Sequence, residues 1–538
     1  MSSPFATHEV LNQPPPLDGV SPFTSDSALR DSVLREGGGW GQERLVAFGD
    51  WLGGPKTRRL GDLANRHCPE LRTHDRFGHR IDEVEFHPAW HRLMARAVAE
   101  GVHALPWSQP REGAHVVRAA SAFMLNQIEA GVCCPMAMTF AAMPALQHDP
   151  DVTAPWIPKI LSADYDPSSQ PINGKRGALI GMAMTEKQGG SDVRVNATHA
   201  SAIGDGAYEL VGHKWFCSAP MSDAFLTLAQ TERGLSCFFL PRWRPEGSRN
   251  AFHIQRLKDK LGNRSNASAE IEYAGAFAYL LGEDGQGVRT IIKMVHHTRL
   301  DAAISAAGLM RQAVAQALHH AAHRTVFQRR LIDQALMRNV LADLAIEVEA
   351  ATVLVMRVAG AFDRASNDSA EQEFGRLATP IAKYWMGKQA PRVIVEALEC
   401  LGGNGYVEES ILPRLYREAP VNSVWEGSGN VICLDVLRAI DRSPEVLQAI
   451  LREIEKARGG NRMLDVRLDL LAKSLPDWKQ EEGQTRVLVE QLALALCGAL
   501  LVRHAPSAVA DAYCASRFVD SSGRQFGTLP SGLDLAAI

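Results

Sequence analysis

One stretch of the chain joins a carboxylate, an indole and a glycine-rich turn. It reads Asn422-Ser423-Val424-Trp425-Glu426-Gly427-Ser428-Gly429-Asn430 and precedes an apolar run from Val431 to Ile440. A carboxylate held in a loop against an aromatic wall loses hydration, which pushes its pKa toward neutrality and equips it as a general base. The same residues also read as the start of a helix, with Ser428 or Asn430 capping and Glu426 favoured by the dipole. A second stretch, Met182-Ala183-Met184-Thr185-Glu186-Lys187-Gln188-Gly189-Gly190-Ser191-Asp192, runs from a strand into paired glycines flanked by hydroxyls. Such a loop brings backbone N–H groups and hydroxyls close to a polar ligand without Cβ obstruction. It also reads as a plain turn. A third, Leu401-Gly402-Gly403-Asn404-Gly405-Tyr406, is a helix end, a left-handed turn or a loop for phosphate approach.

Other chemistries lack their residues. There is no G-x-G-x-x-G after a strand, no Walker A, no G-x-S-x-G and no H-E-x-x-H. His319, His320 and His323 share a helix but have no carboxylate nearby, so no metal is expected. The nine cysteines form no C-x-x-C and are odd in number, which fits buried thiols in a reducing compartment, with Cys133-Cys134 a core pair. The first residues lack a basic segment followed by an apolar one, and no run of 18 apolar residues occurs, so neither a signal peptide nor a membrane span is expected. A cytoplasmic protein is the default expectation. A net charge of −4 gives no chain-wide field toward nucleic acid or membrane.

The elements that must position these segments change texture along the chain. The 538 residues, 46% hydrophobic, suffice for several cores. Residues 1–40 are rich in Pro, Ser and Gly and predict an extended arm. Apolar groups recur at helical spacing from 41 to 150. From Leu179 onward, short β-branched and aromatic runs alternate with Gly, Asp and Asn turns and predict antiparallel strands. Helical texture then returns: one long amphipathic helix over Ile291–Phe327, a second over Leu331–Asp363, and a third over Ala378–Gly402 interrupted by Pro380 and Pro391. A further helical block follows Arg442-Ser443-Pro444. The expected fold is mostly α with a central antiparallel β domain. Its expected divisions are an arm and helical domain (1–178), the β domain (179–288), a helical bundle (289–440) and a helical extension (441–538).

In this order and spacing the segments resemble the acyl-CoA dehydrogenase family over roughly residues 80–440. The family's "TE-x-x-x-GSD" is matched by Thr185-Glu186 and Gly190-Ser191-Asp192. Its "G-x-K-x-W-I-T/S" is matched by Gly212-His213-Lys214-Trp215-Phe216-Cys217-Ser218. Its "R-x-x-F-G" is matched by Arg324-Thr325-Val326-Phe327-Gln328, and its "GG-x-GY" by Gly402 to Tyr406. Its "R-D…EGT" is matched by Arg417-Glu418 and Glu426-Gly427-Ser428. Phe216 stands for the family's tryptophan, Ser218 for its threonine, Gln328 for its glycine and Lys187-Gln188 for Pro-Gly. The resemblance is closer to one branch, flavoproteins of the bacterial response to alkylating agents. The matching runs are Leu11–Leu17, "GMAMTEKQGGSD", "VGHKWF", Arg256–Ser268, Pro420–Asn430 and the extra block after 441.

The resemblance implies a helical domain, a β domain and a four-helix bundle, with FAD bound between β domain and bundle in a homotetramer. It implies removal of the α-proton of an acyl-CoA thioester by Glu426, with Arg299 lining the same pocket, while a β-hydride passes to the flavin. Cofactor contacts would come from Met182, Met184, Thr185, Gly190, Ser191, Phe216, Ser218, Trp425, Gly427, Ser428 and Asn430, and further ones from Phe327, Gln334, Gly402 and Gly403. Arg324 would reach the FAD of a neighbouring subunit. A minority of the family places the base immediately before the arginine matched by Arg299. That residue is Thr298 here, which is no base near pH 7, and Asp301 lies on a different helix face. The branch also implies protection of alkylated double-stranded DNA, with a local stripe of Arg438, Arg452, Lys456 and Arg458. Residues 441–538 carry 12 Lys and Arg against 13 Asp and Glu, a net of −1, so the bulk charge expected of a DNA-facing block is missing. Packing or oligomerisation is the alternative role for that block.

Overall fold

The computed structural model describes residues 7–519, 529 and 532–538, with backbone alone for 477–480. The arm is shorter than its composition suggests. Extended chain gives way at Asp26, whose side chain accepts the Leu29 N–H and starts α1 (Ser27–Arg35). The helices α2 (Gln42–Gly53) and α3 (Pro55–Arg66) follow, then a hairpin of β1 (Glu70–His74) and β2 (Arg80–Glu85) inside the stretch expected to be wholly helical. Its polar alternation suits a hairpin that packs by hydrogen bonds. Asp82 accepts the Ile254 N–H at 3.0 Å, Arg80 donates to the Ile254 carbonyl at 3.0 Å, and Arg249 donates to Ile81 at 2.7 Å, tying the hairpin to the β module. The helices α4 (Pro88–Ala99), α5 (Ala114–Asn126) and α6 (Cys133–Leu146) complete this region.

The β module comprises β3 (Ile180–Ala183), β4 (His199–Gly204), β5 (Ala207–Ser218), β6 (Ala224–Thr231), β7 (Gly234–Pro241), β8 (Phe252–Leu257) and β9 (Ser268–Leu281). The path runs β3-β6-β4-β5-β9-β7, and β7 also pairs with β6, so the sheet closes on itself, with β8 on the outer edge of β9. All pairings are antiparallel except β3 and β4 with β6. Phe225, Phe238, Phe252, Ile254, Ile271 and Tyr273 fill its interior.

Three long helices form the bundle: α7 (Gly287–His323), α8 (Ala335–Arg364) and α9 (Ser369–Cys400). The helix α7 stops short of its expected end at Phe327. Thr325–Val326 pairs instead with Arg329–Arg330 as a two-residue ribbon, β10 and β11, turned by Phe327 and Gln328, both at positive φ. Nor do the prolines interrupt α9, which begins at Ser369, capped by Asp368, and runs through Pro380 and Pro391. An interior proline costs about 3 kcal/mol. Burial of Leu377, Ile381, Met386, Val393 and Ile394, each worth about 1.5–3 kcal/mol, outweighs it.

The last block holds α10 (Gly429–Arg442), α11 (Pro444–Glu455), α12 (Arg462–Gln480), α13 (Thr485–His504) and α14 (Ser507–Arg517). One apolar cluster runs continuously from Phe23 through α5, α7, α8 and α9 to α13 and α14, so this block shares its core with the bundle. Although no long unbroken apolar run exists, Glu482–His504 is long and apolar enough to cross a membrane by length and composition. Here it is a core helix, with Leu488, Leu492, Leu496 and Leu500 buried. All nine cysteines are free thiols, seven of them buried.

Candidate active site

Glu426 sits in the turn between a short 3-10 helix (Ala419–Ser423) and α10, with φ at +58°. A non-glycine residue in that region is strained, and here the surroundings impose it. Arg299 of α7 donates to the Glu426 carbonyl at 3.1 Å and pairs with Asp435 of α10 at 2.7 Å. Arg376 also pairs with Asp435 at 3.2 Å. Lys383 of α9 donates to the Gly427 carbonyl. Arg299 and Lys383 grip the backbone of the loop, and among the described residues the carboxylate has one side-chain donor, the Thr298 hydroxyl, 2.7 Å from Oε2. Burial pushes the Glu426 carboxyl above its ordinary range, against the pull of Thr298, Arg299 and Lys383. Burial likewise pushes Lys383 down to about 7. Thr298, which is not itself a base, therefore tunes the carboxylate. Asp301 pairs with Arg118, and its nearby charge adds to the rise of the Glu426 carboxyl. The capping alternative is realised only in the backbone: Ser428 occupies the N-cap of α10 without a side-chain bond, and Asn430 accepts from Arg486 of α13 at 2.8 Å.

The glycine loop after β3 lies across a shared apolar cluster from this turn, for Met182, Met184 and Trp425 all pack on it. Trp425 is fixed by its indole N–H to Asn422 at 3.0 Å. A side chain on Gly190 would strike the Thr185 hydroxyl, so only glycine fits there, and Ser191 is exposed beside it. The Trp215 N–H donates to the Thr185 carbonyl at 2.8 Å, which sets the loop against β5. Beneath lies a buried pair, Lys214 to Glu186 at 2.8 Å. Glu186 also accepts the N–H groups of Ala197 and Thr198 and the Gln188 amide. Burial raises the Glu186 carboxyl, but Lys214 and these donors overcome it and hold the group at about 2. At the end of β5, Phe216 is 51% exposed, and Ser218 meets Ser268 at 3.2 Å and the Cys134 thiol. The Arg256–Ser268 run braces this side, with Asn263 donating twice to buried Glu418 and Ser265 donating to Glu129.

The remaining predicted contacts are not in this cleft. Arg324 ends α7, 26 residues beyond Thr298, which at 1.5 Å per residue is roughly 39 Å away. Its guanidinium donates to the Asn12 carbonyl at 2.6 Å, and the Asn12 side chain pairs with both backbone groups of Thr325, so the arm pins this corner. The Gln334 amide is engaged by the Val326 carbonyl at 2.9 Å. Phe327 is 89% exposed, and nothing lies within 4 Å of a side chain built on Gly402 or Gly403. Of the basic stripe, Arg452 pairs with Glu373, Lys456 with Glu453, and Arg458 with Glu455 and Asp469, while Arg438 is exposed. Sequence reasoning assigned no role to Glu186, Lys214, Lys383, Asp435 or Asn12. Glu186, Lys214 and Asn12 lie inside the quoted motifs and runs, whereas only packing reveals Lys383 and Asp435.

Three family profiles match in succession. The adaptive response protein AidB N-terminal domain covers 12–167, the acyl-CoA dehydrogenase middle domain 181–276, and the acyl-CoA dehydrogenase C-terminal domain 285–440. The chain belongs to the acyl-CoA dehydrogenase family, and its cofactor is FAD. Within that family it is 48% identical to the putative acyl-CoA dehydrogenase AidB of Escherichia coli, over 95% of this chain and 94% of that one. It is 31% identical to acyl-CoA dehydrogenase family member 11 of Caenorhabditis elegans, over 86% and 80%. The crystal structure of Caenorhabditis elegans ACDH-11 in complex with C11-CoA superposes with a TM-score of 0.86 at 28% identity, over 95% of this chain and 92% of that one. The cleft fits a flavin. A loop that only Gly190 allows brings the Thr185 and Ser191 hydroxyls to its edge, Phe216 is half exposed with the Lys258 ammonium 4.8 Å from its ring centroid, and Met182, Met184 and Trp425 form an apolar wall.

Proposed function

We propose that this chain oxidises an acyl-CoA thioester, with Glu426 as the base that removes the α-proton. The observation that carries the reading is the Glu426 turn: its cations are spent on backbone carbonyls, so the carboxyl is desolvated and ready to take a proton. FAD, when bound, supplies the acceptor for the β-hydride. Arg299 and Lys383 hold the turn in its strained conformation, Thr298 orients Oε2, and Trp425 keeps water from the carboxylate. Met182, Met184, Thr185, Gly190, Ser191, Phe216, Ser218, Trp425, Gly427, Ser428 and Asn430 form the cofactor side of the cleft. Anaerobic titration of the purified flavoprotein with a panel of acyl-CoA thioesters tests this. Flavin bleaching is expected, and no bleaching with any thioester would overturn the reading.

The assembly belongs to the same proposal. Arg324, Phe327, Gln334, Gly402 and Gly403 serve the cofactor of a neighbouring subunit in a homotetramer. The distance along α7 and the uncovered apolar groups in these segments, Phe327, Leu336 (84% exposed) and Tyr406 (79%), support it. For residues 441–538 the continuous core favours packing over contact with duplex DNA, as does the pairing of Arg452, Lys456 and Arg458 with carboxylates. A mobility-shift assay separates the two roles. Phosphate contact requires a fall in affinity of orders of magnitude between about 50 and 200 mM salt.

A further inference from the structure

The loop between β8 and β9 carries two lysines with different fates. Lys258 pairs with Glu270 at 2.6 Å. Lys260, two residues on and half-buried, forms no ion pair among the described residues. Its ammonium donates instead to the Asn266 carbonyl at 2.7 Å and to the Ser268 hydroxyl oxygen at 2.9 Å. The carboxylates near it, Glu418 and Glu129, are spent on other donors. Glu418 accepts the backbone N–H and the side-chain amide of Asn263, and Glu129 accepts the Val132 N–H and the Ser265 hydroxyl. The loop is held where it is, because at Gly262 it packs so closely on the backbone of Arg417 and Glu418 that a side chain there would strike the Arg417 carbonyl.

The chemistry of the ammonium sets the direction of the hydrogen bonds that follow. It has no lone pair, so the Ser268 oxygen accepts from it and the Ser268 proton is left to donate. Ser268 is buried and stands opposite Ser218 in the register of β9 on β5, with the two hydroxyl oxygens 3.2 Å apart. That is long for a hydroxyl pair. An acceptor drawing on Ser218 shortens it, since hydrogen bonds in a chain polarise one another. Ser218 receives the Ser268 proton and has its own left to give. The Cys134 thiol beside it is a weak acceptor, so the half-buried Ser218 hydroxyl is available to a stronger one in the cleft. The chain thus begins on a cation that no carboxylate neutralises and ends as a donor on the cofactor side.

We propose that Lys260 is a positioning residue for the flavin. Acting through Ser268, it holds the Ser218 hydroxyl as a polarised donor to the cofactor ring and so favours the electron-richer, reduced form. The proposal rests on the placement of Ser218 on the cofactor side of the cleft, given above, and is independent of the thioester. Reductive titration of the purified holoprotein with dithionite beside a redox dye of known potential tests it, with no thioester present. Lys260→Met keeps the length of the side chain and drops its charge. It should weaken the hold on reduced FAD about 10-fold more than on oxidised FAD, which lowers the midpoint by about 30 mV for a two-electron couple. Ser268→Ala leaves the ammonium and its bond to Asn266 in place and should lower the midpoint in the same direction. Because both act on one chain, the double variant should fall no further than the lower of the two single ones.

A midpoint unchanged by Ser268→Ala overturns the proposal whatever Lys260→Met does, because the charge would then act through space or not at all. If Lys260→Met fails to hold flavin, Ser268→Ala decides alone. Ser218→Ala separates the chain from the placement it rests on. If Ser218→Ala lowers the midpoint while Ser268→Ala and Lys260→Met do not, the chain falls and Ser218 stays at the flavin. If Ser218→Ala leaves both the midpoint and the flavin spectrum as in wild type, the placement of Ser218 falls and the proposal with it.

Discussion

Two buried regions each set a glutamate beside a lysine, and their carboxyl groups move in opposite directions. At Glu186 every donor is aimed at the carboxylate: the Lys214 ammonium, two backbone N–H groups and the Gln188 amide, with the acid held at about 2. At Glu426 the lysine and the arginine are aimed away from the carboxylate, at the backbone carbonyls of Gly427 and of Glu426 itself. Their charges steady the loop without satisfying the carboxylate, so burial wins and the acid is raised. The first arrangement is a structural lock and the second a base in waiting. What separates them is where the hydrogen bonds end, since the residue types are the same.

The largest test of this contrast is at the base. Glu426→Gln keeps shape and loop contacts but removes the proton acceptor. Flavin reduction by acyl-CoA, followed by anaerobic stopped flow, should fall at least 100-fold, within the roughly 10²–10⁴ typical of general-base catalysis, while FAD content is retained. A reduction rate near wild type would make Glu426 a purely structural carboxylate. The next effect lies at the lock. Lys214→Met leaves a fully buried carboxylate without its cation, and breaking a buried pair costs about 3–5 kcal/mol. Denaturant unfolding should register that loss, and adding Glu186→Gln to the same chain should restore part of it. A midpoint unchanged by Lys214→Met would show that the backbone donors alone hold Glu186.

Much of this contrast was legible in the sequence as motif and little of it as mechanism. The order of helices, strands and helices followed from hydrophobic periodicity, and the Trp425–Glu426–Gly427 turn followed from residue types. The Glu70–Glu85 hairpin escaped because its alternation is polar, and its partners lie about 170 residues away on β8. The continuity of α9 escaped because local propensity at Pro380 and Pro391 argues against it, and only tertiary burial reverses that sign. Thr298 was legible as a missing base but not as the donor to Glu426, since that contact spans 128 residues. Lys383 carries no motif, and Asn12 lies in the Leu11–Leu17 run without its type disclosing a role, so only packing assigns them.

A subtler change should move the base without removing it. Thr298→Val deletes the side-chain donor that Oε2 has among the described residues, a bond that lowers the Glu426 pKa. Without it the carboxyl rises further. Because the base acts only when deprotonated, the acid limb of the pH profile of flavin reduction should move to higher pH, with rates converging on wild type on the alkaline side. An unmoved acid limb would mean that Thr298 donates instead to the Val295 carbonyl, 3.0 Å away.

The smallest effect is on stability, and it has opposite signs in the two regions. A carboxyl ordinarily at 4.5 that is raised in the folded chain binds protons more readily folded than unfolded. Stability therefore falls as pH rises from 4.5 through the folded value, and the full cost persists above it. Glu426→Gln removes that cost, so the variant should melt at a higher temperature than wild type near pH 7.5, with the advantage vanishing by about pH 4. Glu186 is depressed to about 2, so its contribution is fully present above 4.5 and fades as pH falls toward 2. Glu186→Gln should accordingly lower the melting temperature near pH 7.5, and by less in acid. Finding both variants destabilised to the same degree at neutral pH would mean that the Glu426 turn is held by its carboxylate after all. The strain at φ +58° would then be borne by a salt bridge to Lys383, in place of the backbone grip described above.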